Sequence, residues 1–187
     1  MSENDNNINV RLIEKINKVE EKYDKNFSNT QKILLTTDGS ITAILDVLYG
    51  KIDLKTLNQH FEEATEKTAS YVNVDIGDEI NSREIIMHKD DQPLIYAISY
   101  MPLKRLSKEI KEDLIRADIP IGRILKKYNI ESRREIKTIA IEKASEKLSK
   151  LYNTDEDFLA RDYTIIKDGE ILMWIKEFFP ITYFTEI

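Results

Sequence analysis

Two apolar runs near the end of the chain, Tyr163 to Ile166 and Ile171 to Phe179, are separated by Asp168-Gly169. Asp-Gly is a preferred pair for a two-residue type I′ turn, so this segment predicts a tight antiparallel hairpin. A second hairpin is predicted from Glu79 to His88 and Leu94 to Met101, with Lys89-Asp90-Asp91-Gln92-Pro93 as a loop of several residues between them. Leu54 to Ala64 is moderately alternating and fits a strand or a helix, with strand the favoured reading. Arg134 to Ala140 alternates charged and apolar residues, as a half-buried strand does.

Helical spacing interleaves with these strands. Val10, Ile13, Ile16, Val19 and Tyr23 recur at three- and four-residue steps and describe an amphipathic helix over 9–25. Ser40 is placed to N-cap a short helix that runs to Tyr49 and closes at Gly50. Leu103 to Ile115 and Ile141 to Leu151 are predicted helices, and Pro120 suits the first turn of another over Ile121 to Leu125. Helices and antiparallel hairpins without βαβ units predict an α+β class. A polar tail over 1–8 is expected to be disordered, and 9–187 to form a single domain.

Composition narrows the function. With 28 Lys and Arg against 34 Asp and Glu, the net charge is −6. A chain of that sign is not expected to bind nucleic acid or an anionic membrane through bulk charge. There are no cysteines and two histidines, His60 and His88. Thiol chemistry is therefore excluded, and no metal site or cofactor is expected. No signal peptide or membrane span is visible, so a cytoplasmic location is expected.

Three features stand out as candidate chemistry. Glu177 lies inside the apolar run that ends at Pro180, where an unpaired buried carboxylate is expensive. It is protonated, paired or facing a polar cavity, or else it points to solvent from an edge strand. Arg83 shares a strand face with Ile85 and Met87, an arrangement suited to bidentate capture of a carboxylate; on spacing alone it reads as an ordinary surface salt bridge. Pro120-Ile121-Gly122 opens a helix with free backbone N–H groups that suit an anion, and taken singly it reads as a plain helix start. The Lys104-Arg105 and Arg133-Arg134 pairs read as solvated, and Trp174 as core.

The order of these blocks carries more than any one of them. Asp38-Gly39-Ser40-Ile41-Thr42, Arg83-Glu84-Ile85-Ile86, Pro120-Ile121-Gly122-Arg123 and Glu177-Phe178-Phe179-Pro180 follow one another over about 30–180. In that order and spacing the chain resembles the chorismate pyruvate-lyase family. The resemblance implies a six-stranded antiparallel sheet flanked by helices, with a ligand held under two helical flaps. It also implies elimination of pyruvate from chorismate, or from a related aromatic-precursor acid, to leave 4-hydroxybenzoate.

By the same resemblance, Arg83 corresponds to the arginine on the ring carboxylate and Glu177 to the glutamate at the 4-oxygen end. Backbone contacts fall at Ile41 and Ile121, with Gly122 beside them. Burial in an apolar strand is expected to favour the neutral acid, which makes Glu177 a candidate hydrogen-bond donor to the ether oxygen. The alternative from another class is a non-catalytic sensor or carrier of aromatic acids on the same fold. The stretch ahead of Ser40 is too short for a winged-helix domain, so a DNA-binding repressor is not expected.

Overall fold

The computed structural model describes residues 3–116 and 119–185, with side chains over 10–113 and 119–185. Six strands form one antiparallel sheet: β1 Asp53–Glu63, β2 Glu79–Lys89, β3 Gln92–Pro102, β4 Arg133–Glu142, β5 Phe158–Lys167 and β6 Glu170–Pro180. Their order is β1-β2-β3-β6-β5-β4, so the last strand is inserted at the centre, against β3 on one side and β5 on the other.

Both hairpins close through two residues. Asp168 (φ 51°) and Gly169 (φ 84°) occupy the left-handed region that the type I′ turn requires. The β2–β3 connection is tighter than expected: Lys89 pairs with Gln92, leaving Asp90-Asp91 as the turn with Asp90 at φ 51°. An aspartate tolerates that conformation, and strand pairing continues into what the composition marks as loop.

The helices are α1 Glu3–Tyr23, α2 Asn29–Thr36, α3 Ile41–Tyr49, α4 Glu66–Val72, α5 Lys108–Arg116, α6 Ile121–Lys127 and α7 Glu146–Tyr152. α1 starts ahead of its apolar periodicity, and the backbone from Glu3 continues the helix, since propagation is easy once a helix is nucleated; residues 1 and 2 of the expected tail lie outside the described residues. The helix expected over Leu103–Ile115 is broken into a 3₁₀ turn at Leu103–Arg105 and α5, because Ser107 caps a fresh start: its hydroxyl accepts from Ile110 N. The helix expected from Ile141 starts only after Ser145, which caps α7, while Ile141 and Glu142 complete β4 against Leu159 and Phe158. α2 and α4 carry no long apolar period. They are defined by capping boxes at Ser28/Gln31 and Thr65/Thr68.

One sheet face carries five helices. α1, α2 and α3 pack on one half of it around Leu34, Leu35, Leu45, Ile95 and Phe179. α5 and α6 cover the other half around Met101, Ile110, Ile124, Ile165 and Ile175. Each fully buried leucine here contributes roughly 1.5–3 kcal/mol of apolar burial. The opposite face is closed by α7 over Phe158 and Phe178, and by α4 over Trp174, whose ring stacks on Tyr71 at 4.3 Å. The seam between the two clusters on the first face is where the cavity lies.

Candidate functional site

Alternation aims a defined set of residues at that seam. Arg83 pairs across to Ser99, Ser99 to Ile175, and Ile175 to Tyr163, so all four share the helix-covered face. One row along, Ile85, Ala97, Glu177 and Arg161 are cross-strand partners on the same face. Over this floor lie the Ser40–Thr42 start of α3 and the Pro120–Gly122 start of α6. The cavity holds about 540 Å³ of atom-free space, counting its mouth. Arg83, Glu177, Ile41, Ile121 and Gly122 all line it. Arg83 and Glu177 stand two strand spacings and one row apart, roughly 10 Å across the sheet and 7 Å along it.

Arg83 is 1% exposed. Its guanidinium donates through Nη1 to Ile119 O at 3.2 Å and through Nη2 to Thr56 Oγ1 at 3.1 Å. It therefore spans from β1 to the segment that leads into α6.

Glu177 is 4% exposed and is not isolated. Arg161, fully buried on the neighbouring strand, donates from Nε to Oε2 at 2.7 Å. Tyr163 donates its hydroxyl to Oε1 at 3.0 Å. Burial, then the adjacent Glu177 charge, raises the Tyr163 pKa, so the phenol stays a donor. Of the readings open for Glu177, the structure gives the paired one: both oxygens accept from donors, one of them the Arg161 guanidinium. Burial alone disfavours the charge, and Arg161 offsets that penalty.

Cations also tie down the cover. Arg161 Nη1 donates to Thr37 O at 2.8 Å, and Arg134 Nη1 donates to Asp38 O at 2.9 Å. Both bonds hold the loop leading into α3. Across the two covering helices, Arg123 of α6 pairs with Asp46 of α3 at 3.0 Å. The helix starts approach so closely that a Cβ on Gly122 would stand 3.0 Å from Ser40 Oγ, which explains glycine at this position.

Sequence reasoning missed Arg161 and Arg134. Arg161 lies in the part of β5 ahead of the apolar run that begins at Tyr163, where the sequence marks no strand, and Arg134 belongs to a charged pair that reads as solvated. Arg133 is indeed exposed, in an ion pair with Glu135, but Arg134 points the other way and lines the cavity. Arg105 is likewise not solvated: its side chain is 10% exposed and donates to the carbonyls of Val72, Asn73 and Ile171. The signal available for Arg134 was strand alternation, which opposes neighbours in an adjacent pair. Among the described residues no group of three or more His, Asp and Glu side chains is placed to hold a metal ion. No helix among them is long and apolar enough to cross a membrane.

Comparison with known proteins fits this geometry. The effector domain of PhnF from Mycobacterium smegmatis superposes with a TM-score of 0.62 at 13% identity, covering 76% of this chain and 88% of that one. The ligand-binding domain of a GntR-family regulator from Bordetella bronchiseptica gives 0.59 at 14% identity, covering 68% and 85%. At such identity these likenesses establish the fold, the chorismate lyase-like α+β sheet. A Methanocaldococcus jannaschii protein named "Putative lyase MJ0807" is 41% identical over 160 residues, 82% of this chain and 79% of that protein. The family model described as chorismate pyruvate-lyase Rv2949c-like matches residues 35–186, which include all six strands, and the chain belongs to that family of lyases.

Proposed function

We propose that this protein eliminates pyruvate from chorismate and leaves 4-hydroxybenzoate, with Arg83 binding the ring carboxylate and Glu177 serving the 4-hydroxyl. The observation that carries the reading is that Arg83 and Glu177, two strands and one row apart, project from one sheet face into one cavity. An always-charged, planar guanidinium suits a carboxylate. Each Glu177 oxygen retains a lone pair beyond the one used by Arg161 or Tyr163, and that lone pair accepts from the ring 4-hydroxyl.

In the reaction the C4–H and C3–O bonds break and a C3–C4 double bond completes the aromatic ring. The departing enolpyruvate takes up a proton on its methylene carbon and becomes pyruvate. Aromatisation makes this strongly downhill, so the protein's task is to orient the ether and exclude water. Glu177 as a carboxylate fixes the 4-oxygen and so the C4–H and C3–O directions. Ile41, Ile121 and Gly122 close over the ring, contributing backbone groups from the two helix starts. No step requires a metal or organic cofactor.

The test is direct: mix the protein with chorismate and follow pyruvate together with the ultraviolet band of 4-hydroxybenzoate. Stoichiometric release of both products supports the reading. Binding of 4-hydroxybenzoate without any pyruvate release favours a sensor or carrier instead.

A further inference from the structure

Arg134 lies at the far end of the cavity from Arg83, on the edge strand β4, four strand positions away in the sheet. That separation is roughly 19 Å between backbones, and both long side chains reach inward to line the same space. Arg134 donates to the backbone carbonyl of Asp38, its Nε is buried with no hydrogen-bond partner, and among the described residues it forms no ion pair. Its Nη2 stands 4.0 Å from where a Gly122 side chain would begin, so the fork faces the junction of the two helix starts. A half-buried guanidinium with an unused donor, lining a cavity in a net-acidic protein, is a site for an anion.

We propose that Arg134 binds the second carboxylate of the substrate, the one carried on the enolpyruvyl side chain, and so makes the site selective for dicarboxylates. This rests on the lyase reading for the name of the side chain, but not for the chemistry of recognition. Arg83 takes the carboxylate that stays with the aromatic product; Arg134 takes the one that leaves with pyruvate. The division has a consequence for turnover: once the ether breaks, the aromatic product keeps only one of its two cationic anchors. Arg134 is then a substrate-selecting residue that does not hold the product.

Two ligands that cannot eliminate pyruvate separate these roles. 3-(Carboxymethoxy)-4-hydroxybenzoate carries both carboxylates, and 3-methoxy-4-hydroxybenzoate lacks the second. By calorimetry the wild-type protein is expected to bind the dicarboxylate about tenfold or more tightly than the monocarboxylate, the worth of one charge-assisted hydrogen bond. Arg134→Gln is expected to erase that preference while leaving monocarboxylate affinity within about twofold. Arg134→Lys, which keeps the cation but not the fork, retains part of it.

The proposal is overturned if the wild type shows no preference, if Arg134→Gln keeps the preference, or if the substitution weakens both ligands equally, as loss of a strut to Asp38 would. Failure of the lyase reading looks different: wild-type protein releases no pyruvate from chorismate while the dicarboxylate preference still depends on Arg134. Where the lyase reading holds, Arg134→Gln raises KM for chorismate and leaves inhibition by 4-hydroxybenzoate unchanged.

Discussion

Arg161 faces Glu177 because of a one-residue irregularity in the hairpin that joins them. From the Asp168-Gly169 turn, Lys167 pairs with Glu170 and Ile166 with Ile171, and then the register shifts so that Ile165 meets Met173. Beyond the shift Arg161 is opposite Glu177, 2.7 Å away between Nε and Oε2. Without it, Arg161 would be opposite Lys176, and the cation and carboxylate would lie on different faces.

Breaking that pair is expected to be costly. Arg161→Met leaves a buried carboxylate without its cation and should lower stability by about 3–5 kcal/mol. Replacing both partners, Arg161→Met with Glu177→Leu, should recover most of the loss, as apolar substitutes for buried ion pairs do. Urea denaturation midpoints of the two single variants and the double variant check this. Equal losses in Arg161→Met and the double variant would mean the pair is not what balances Glu177.

Arg83→Ala should weaken 4-hydroxybenzoate binding by about 2–4 kcal/mol, the penalty for leaving a buried carboxylate without its charged partner. Calorimetry measures it. Unchanged affinity would remove Arg83 from the ring carboxylate.

Glu177→Gln keeps size and removes charge. Turnover of chorismate should fall about a hundredfold or more, while 4-hydroxybenzoate affinity falls far less, since positioning losses appear mainly in the chemical step. A variant that releases pyruvate at the wild-type rate would rule out the role given to this carboxylate.

The two covering helices offer a pH prediction. Burial pushes Asp46 up, but the Ile52 N–H and the Arg123 guanidinium outweigh it and hold the carboxyl below its ordinary range. A depressed carboxyl stabilises the folded state above its unfolded pKa of about 4 and loses that contribution as the pH falls through its lower folded value. Asp46→Asn should therefore reduce thermal stability at pH 7, with the difference from wild type shrinking below about pH 4. Melting curves across that range test it; a difference that grows toward acid pH would contradict the assignment.

Close contact between the helix starts predicts that Gly122→Ala weakens ligand binding several-fold, on the order of 1 kcal/mol. The added methyl meets Ser40 Oγ, which caps α3 by accepting from Ala43 N, so the hydroxyl cannot turn away without loosening that cap. In a Ser40→Ala background the same glycine substitution should cost less. Calorimetry with 4-hydroxybenzoate on the wild type, the two single variants and the double variant measures the coupling.

The strands, the Asp168-Gly169 turn, the Ser40 cap and the order of the Arg83, Pro120-Gly122 and Glu177 blocks were legible in the chain alone. They depend on side-chain alternation, turn chemistry and spacing, which are local properties. α2 and α4 were not, because each is short and is specified by a capping box rather than by a long apolar period. The pairing of Glu177 with Arg161 and the orientation of Arg134 belonged to the tertiary structure. The first depends on a bulge that shifts one hairpin by a residue. The second depends on which edge of the sheet β4 occupies and on where the loop before α3 comes to rest. A carboxylate in an apolar strand can be satisfied by a proton or by a cation, and only the packing of neighbouring strands decides between them.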